Sequence, residues 1–160
     1  MPNDVTIRPA TEADLDQVRA MLREYHARFA PDPDFHPFEA EIAALPGDYA
    51  PPAGRLLIAL VDGRAAGVVA LRPLAPGVCE MKRLFVRGGF HGRGLGRQLM
   101  VRLLEEARGA GYDTMRLDTI PDRMPAAVAL YEAFAFRQIE AYNGEPIPRV
   151  RYFERALDLA

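Results

Sequence analysis

The segment Leu84-Phe85-Val86-Arg87-Gly88-Gly89-Phe90-His91-Gly92-Arg93-Gly94-Leu95-Gly96-Arg97 constrains the fold of this chain more than any other. An apolar strand runs through a glycine-rich turn into a helix, in which Leu95, Leu99, Leu103 and Ala107 recur every four residues. Gly92, Gly94 and Gly96 remove side chains where backbone must approach a ligand closely. A helix start leaves N–H groups without internal partners, and those donors with the helix dipole favour an anion such as a pyrophosphate. The dipole contributes about 0.3–1 kcal/mol at an exposed site, so the N–H contacts supply most of the affinity. Arg93 and Arg97 are positioned to add charge contacts.

Other phosphate loops do not fit. A dinucleotide fold wants Gly-x-Gly-x-x-Gly after its first strand. Counted from Gly92 or from Gly94, the last position falls on Arg97 or Leu99. A P-loop needs Gly-Lys followed by Ser or Thr, and the chain contains no Gly-Lys.

The rest of the chain reads as alternating elements around this loop. Val5 to Arg8 predicts a strand ending at Pro9. Thr11-Glu12-Ala13-Asp14 predicts a helix start, with the helix over about 12–29. Pro31, Pro33 and Pro37 break the chain. Phe38 to Leu45 predicts a short helix ended by Pro46-Gly47, within a stretch expected to form part of a substrate-facing wall. Arg55 to Val61 and Ala65 to Leu71 predict a hairpin around Asp62-Gly63, ended by Pro73. Val78 to Val86 is the next strand, and the glycine loop leads from it into a helix over about 93–109. A strand over Thr114 to Asp118, a helix over Pro125 to Phe134 and strands over Phe136 to Ile139 and Val150 to Ala156 follow. The fold class expected is α/β with α+β-type layers: one domain over residues 1–160, a mixed sheet and helices on both faces.

Composition narrows the function. With 160 residues, 49% of them hydrophobic, the chain suits one packed domain. A formal net charge of −2 argues against a general nucleic-acid binder, although Arg83, Arg87, Arg93 and Arg97 cluster locally. The single Cys79 allows no internal disulfide. No run of eighteen apolar residues predicts a membrane span, and no leader pattern opens the sequence, so a soluble cytoplasmic protein is expected. His26, His36 and His91 show no ligand spacing, and no metal is expected.

With these residues in place, the sequence resembles the GCN5-related N-acetyltransferase (GNAT) family. The family's Gln/Arg-x-x-Gly-x-Gly/Ala loop is matched by His91-Gly92-Arg93-Gly94-Leu95-Gly96, with histidine at the first position. Its Asn-x-x-Ala-x-x-Leu-Tyr-x-x-x-Gly-Phe helix is matched by Ala127 to Phe136 through Leu130-Tyr131. Met124 stands for the asparagine and Ala135 for the glycine. The specific motifs cover about residues 80–136. The resemblance implies a mostly antiparallel sheet of six or seven strands flanked by about four helices. It implies an acetyl-CoA-dependent transfer to a primary amine of a small molecule or peptide. The pantetheine arm would pair with the backbone of Leu84-Phe85-Val86 as an added strand. A backbone N–H near Leu84 or Phe85 would meet the oxyanion.

The resemblance also assigns roles. Tyr131 matches the tyrosine that protonates the departing thiolate; on spacing alone it reads as a core residue. Glu80, eleven residues before His91, is the candidate general base, with a pKa expected to be raised by its apolar strand. It could equally pair with Lys82 or Arg83, or anchor a substrate ammonium. Asp118 and Thr119, at a strand end, and Tyr142 and Asn143, between the last strands, are candidate substrate contacts. An edge strand near 150–156 could pair with a second copy. A CoA-binding sensor without turnover and a transferase for longer acyl chains remain open.

Overall fold

The computed structural model describes residues 4–29, 38–121, 125–142 and 149–157. The expected break at 31–37, Met124 and Asn143 lie outside the described residues. The elements in chain order are β1 (Val5–Pro9), α1 (Leu15–Phe29), α2 (Phe38–Ala43), β2 (Arg55–Val61), β3 (Arg64–Ala75) and β4 (Val78–Val86). They continue with α3 (Leu95–Gly109), β5 (Thr114–Thr119), α4 (Pro125–Ala133), β6 (Arg137–Ile139) and β7 (Arg151–Ala156).

The strands form one seven-stranded sheet in the order β1-β2-β3-β4-β5-β7-β6. Every neighbouring pair is antiparallel except β4 and β5. This is the mixed, mostly antiparallel sheet with four helices that the resemblance implied. The edge expected near 150–156 is corrected: β7 lies between β5 and β6, so the edges are β1 and β6.

Local chemistry explains most boundaries. Asp62 and Gly63 take positive φ, +51° and +80°, as a two-residue hairpin loop requires. The third strand runs past the expected stop at Pro73 to Ala75, because the register shifts between Pro73 and Ala75 and a bulge accommodates proline within a strand. The first helix begins at Leu15 rather than 12. Glu12–Asp14 form a 3-10 turn, in which the Asp14 carboxylate accepts from the Thr11 amide and hydroxyl and from Arg8.

The core lies on both faces of the sheet. On one, Leu57, Val69, Leu71, Cys79 and Met81 pack with Leu99, Met100 and Leu103 of α3 and with Tyr131 of α4. On the other, Ile58, Val68, Ala70 and Phe85 pack with Val18, Met21 and Leu22 of α1 and Ile42 of α2. Each fully buried leucine contributes about 1.5–3 kcal/mol relative to exposure. Alternation along β4 therefore sends Cys79 and Met81 toward α3 and Glu80 toward α1 and α2.

Candidate active site

The parallel pair β4–β5 is the gap from which the site is built. The two strands are in register only at Val78–Thr114, Cys79–Met115 and Glu80–Arg116. Beyond Glu80 they part, and the β4 edge from Met81 to Val86 has no ladder partner in β5 among the described residues. Within this stretch β4 carries a bulge: Val68 pairs with Phe85 and Ala70 with Lys82, so Arg83 and Leu84 face the single Val69. Arg83 takes φ +64°. It is held there by a two-pronged ion pair to Glu41 of α2, at 2.9 and 2.8 Å, and by the rings of Tyr25 and Phe38. Burial pushes the Glu41 carboxyl up, but the bonds from Arg83 and Tyr49 and the charges of Arg83 and Lys82 outweigh it and hold the carboxyl below its ordinary range.

The glycine loop follows at once. Gly94 is the N-cap of α3 with φ +74°, and Gly92 has φ +81°. A Cβ at either would meet nothing within 4 Å, so the open surface of the loop is backbone. Gln98 N–H donates to Gly94 O at 3.0 Å, which leaves the amides of Leu95, Gly96 and Arg97 without intrahelical acceptors. The loop therefore fits a diphosphate by conformation and by donors. His91, the departure from the loop pattern, has its Nε2 at 2.8 Å from the Val86 carbonyl oxygen and ties the loop to the end of β4. The arginines divide. Arg83 and Arg87 are engaged by Glu41 and Glu24, whereas Arg93 and Arg97 lie over the rings of Phe90 and Phe134 at the loop.

The candidate catalytic groups stand on opposite faces of the sheet. Tyr131 is 3% exposed on the α3–α4 side, edge-on to Phe136. Burial, then the nearby Tyr25 and Asp118, push its hydroxyl well above the ordinary tyrosine value, so it keeps its proton. Ala135, the substitution for glycine, takes φ +67°, the conformation that glycine would adopt more cheaply; Phe136 N–H then bonds back to Tyr131 O at 3.0 Å.

Glu80 is fully buried on the α1–α2 side. Arg72 Nε and Nη2 donate to its Oε1 at 2.9 and 2.8 Å, and the Tyr142 hydroxyl donates to Oε2 at 2.5 Å. The partner is thus Arg72 rather than Lys82 or Arg83. The expected rise in its pKa is corrected as well. Burial pushes the carboxyl up, but the Lys82 charge, the Tyr142 hydroxyl and Arg72 pull it down further, to below its ordinary 4.5. Cys79, next in sequence, faces the other core, and burial pushes its thiol up to about 12.

Asp118 and Thr119 end β5, as expected. Asp118 lies on the Glu80 face, near enough to Tyr131, Tyr142 and Tyr25 to raise all three hydroxyls. Thr119 is on the Tyr131 face, and its buried Oγ1 has no partner among the described residues; nor has the Tyr152 hydroxyl. Orphaned buried oxygens at a strand end beside a cleft fit a site that binds polar groups. Arg72, Lys82 and the Arg83–Glu41 pair were missed as site residues. Arg72 and Lys82 sit at the period-2 positions that share Glu80's face. Only the long-range pairing of β3 with β4, and of α2 with the bulge, reveals their part.

The sequence pattern of the acetyltransferase (GNAT) family matches residues 15–136, and the chain belongs to that family. An uncharacterised N-acetyltransferase of Schizosaccharomyces pombe is 40% identical over 141 residues, 87% of this chain and 86% of its own. A GNAT-family acetyltransferase from Staphylococcus aureus shares the fold, with a TM-score of 0.81 over 97% of this chain and 100% of that one at 19% identity. A structure from Salmonella typhimurium containing its cofactor acetyl-CoA matches with a TM-score of 0.73 over 96% and 94% of the two chains at 20% identity. The protein is an acyltransferase.

Proposed function

We propose that the chain transfers an acetyl group from acetyl-CoA directly to a primary amine, and that it does so in the cytoplasm. The observation that supports this best is the split between β4 and β5, with buried Tyr131 on one face, buried Glu80 on the other and the glycine loop at its end. Acetyl-CoA supplies an acyl group activated as a thioester. The amides of Gly92 to Arg97 would hold its diphosphate, and the unpaired edge Leu84-Phe85-Val86 would hold its pantetheine arm. The bulge at Arg83 and Leu84 interrupts the regular ladder of β4 with β3, and a Leu84 or Phe85 N–H would steady the developing oxyanion.

Glu80 is ionised at neutral pH, and both its oxygens are engaged. The proton leaving the amine therefore reaches Oε2 through the Tyr142 hydroxyl, which takes one proton as it gives another. Tyr131, protonated across the pH range in which amines react, donates to the departing sulfur. The Cys79 thiol is buried and held as a thiol, which favours direct transfer over an acyl-cysteine route.

The test is thiol release from acetyl-CoA across a broad panel of amines, with calorimetry of CoA binding alongside. Acetyl transfer to at least one class of amine is expected. Tight CoA binding with no transfer to any amine would replace this reading with a non-catalytic CoA sensor. A preference for longer acyl-CoA in competition would replace the acetyl group.

A further inference from the structure

A cavity of about 370 Å³ opens on the α1–α2 face between α2, the turn at 45–49 and the strands β3 and β4. Its size is that of a small-ligand site. Arg72 lines it and also holds Glu80, so the cavity adjoins the proton acceptor. The charged groups around it are Glu41, Asp48, Arg72 and Lys82. Glu41 accepts from Arg83 and from the Tyr49 hydroxyl. Asp48 lines the cavity and is exposed. Arg72 gives Nε and Nη2 to Glu80 and retains Nη1, with its side chain 33% exposed. Lys82 is half-buried and makes no ion pair among the described residues. Glu41 is thus engaged and Asp48 exposed, while two cationic side chains line the same cavity.

Resting on the N-acetyltransferase reading, we propose that this cavity takes the carboxylate of the acceptor, so that the substrates are amines bearing an acid group, such as amino acids or short peptides. A carboxylate between Lys82 Nζ and Arg72 Nη1 would form charge-assisted hydrogen bonds to both. It would leave the acceptor's amine on the side of Glu80 and Tyr142. Diphosphate binding belongs to the α3 end of the split, so the two anions do not compete for one site.

The test compares free L-amino acids and dipeptides with their carboxamides, using acetyl-CoA and the intact chain. Hydrogen bonds to charged groups are strong enough that kcat/KM for the acids should exceed that for the amides by about tenfold. Lys82→Met should remove that advantage through KM, and Lys82→Arg should keep most of it. In the presence of CoA, N-acetylated amino acids should raise the unfolding temperature more than their amides do. Amides used as well as acids, or a Lys82→Met loss shared equally by both, would overturn the carboxylate site and leave acyl transfer standing. Failure of every amine in the panel, acid or amide, to accept acetyl would overturn the transfer reading and the site together.

Discussion

Tyr131 and Glu80 reach the split from opposite faces, so their substitutions should fail in different ways. Tyr131→Phe removes a proton donor and retains the ring that packs on Phe136 and Phe153. We expect kcat to fall about 10²-fold, with CoA affinity by calorimetry unchanged. An unaltered kcat would return Tyr131 to the core. Glu80→Gln keeps the shape but disables the acceptor. Because Glu80 is held below its ordinary range, it is a weak base, and a loss of about 10²-fold is expected, the low end for general-base catalysis. A drop smaller than about threefold at saturating acceptor would end that assignment. The pH profile follows from the same direction of shift. With its carboxyl held below the ordinary range, Glu80 stays ionised through the neutral range, so the acid limb there should track the acceptor's own amine and move when the acceptor is changed. A limb fixed near pH 6 for all acceptors would contradict this.

At the scale of elements, the end of β4, the loop and the start of α3 act as one unit. Gly92 and Gly94 hold left-handed backbone ahead of the free amides at the start of α3. An alanine at 94 meets no steric neighbour, so its cost is conformational, about 1–2 kcal/mol. Gly94→Ala should lower the unfolding temperature by a few degrees and weaken CoA binding about tenfold, because relaxing the strain re-aims the amides. Full CoA affinity with unchanged stability would separate the loop from the cofactor. The β4 bulge is a second such unit, fixed by the Arg83–Glu41 ion pair across a sequence distance of 42 residues. A sequence motif shows the first unit because its residues are contiguous. The second is invisible until α2 packs on β4.

At the scale of the whole molecule, acid should unfold the protein for an identifiable reason. Asp14, Glu41 and Glu80 all have carboxyls held below their ordinary range in the fold, by Arg8, Arg83, and the Lys82, Tyr142 and Arg72 group respectively. A depressed pKa adds stability that is fully present above the unfolded value of about 4 and is lost as pH falls through the folded value. The unfolding temperature should be level from pH 7 to about 5 and fall steadily below about 4. A flat profile down to pH 3 would show that these pairs add nothing. The sequence by itself determined the element order, the glycine loop before α3, the strand carrying Glu80 and the helix carrying Tyr131. Each of these depends on local backbone conformation and on periodicities of two or about four residues. Only the tertiary structure decided that β4 and β5 part after Glu80, that β7 is internal, and that Arg72, Lys82 and Tyr142 gather around one carboxylate. Strand pairing and the balance between burial and neighbouring charge depend on residues far apart in the chain. For that reason the surroundings of Glu80, apolar along its own strand, proved to lower its pKa rather than raise it.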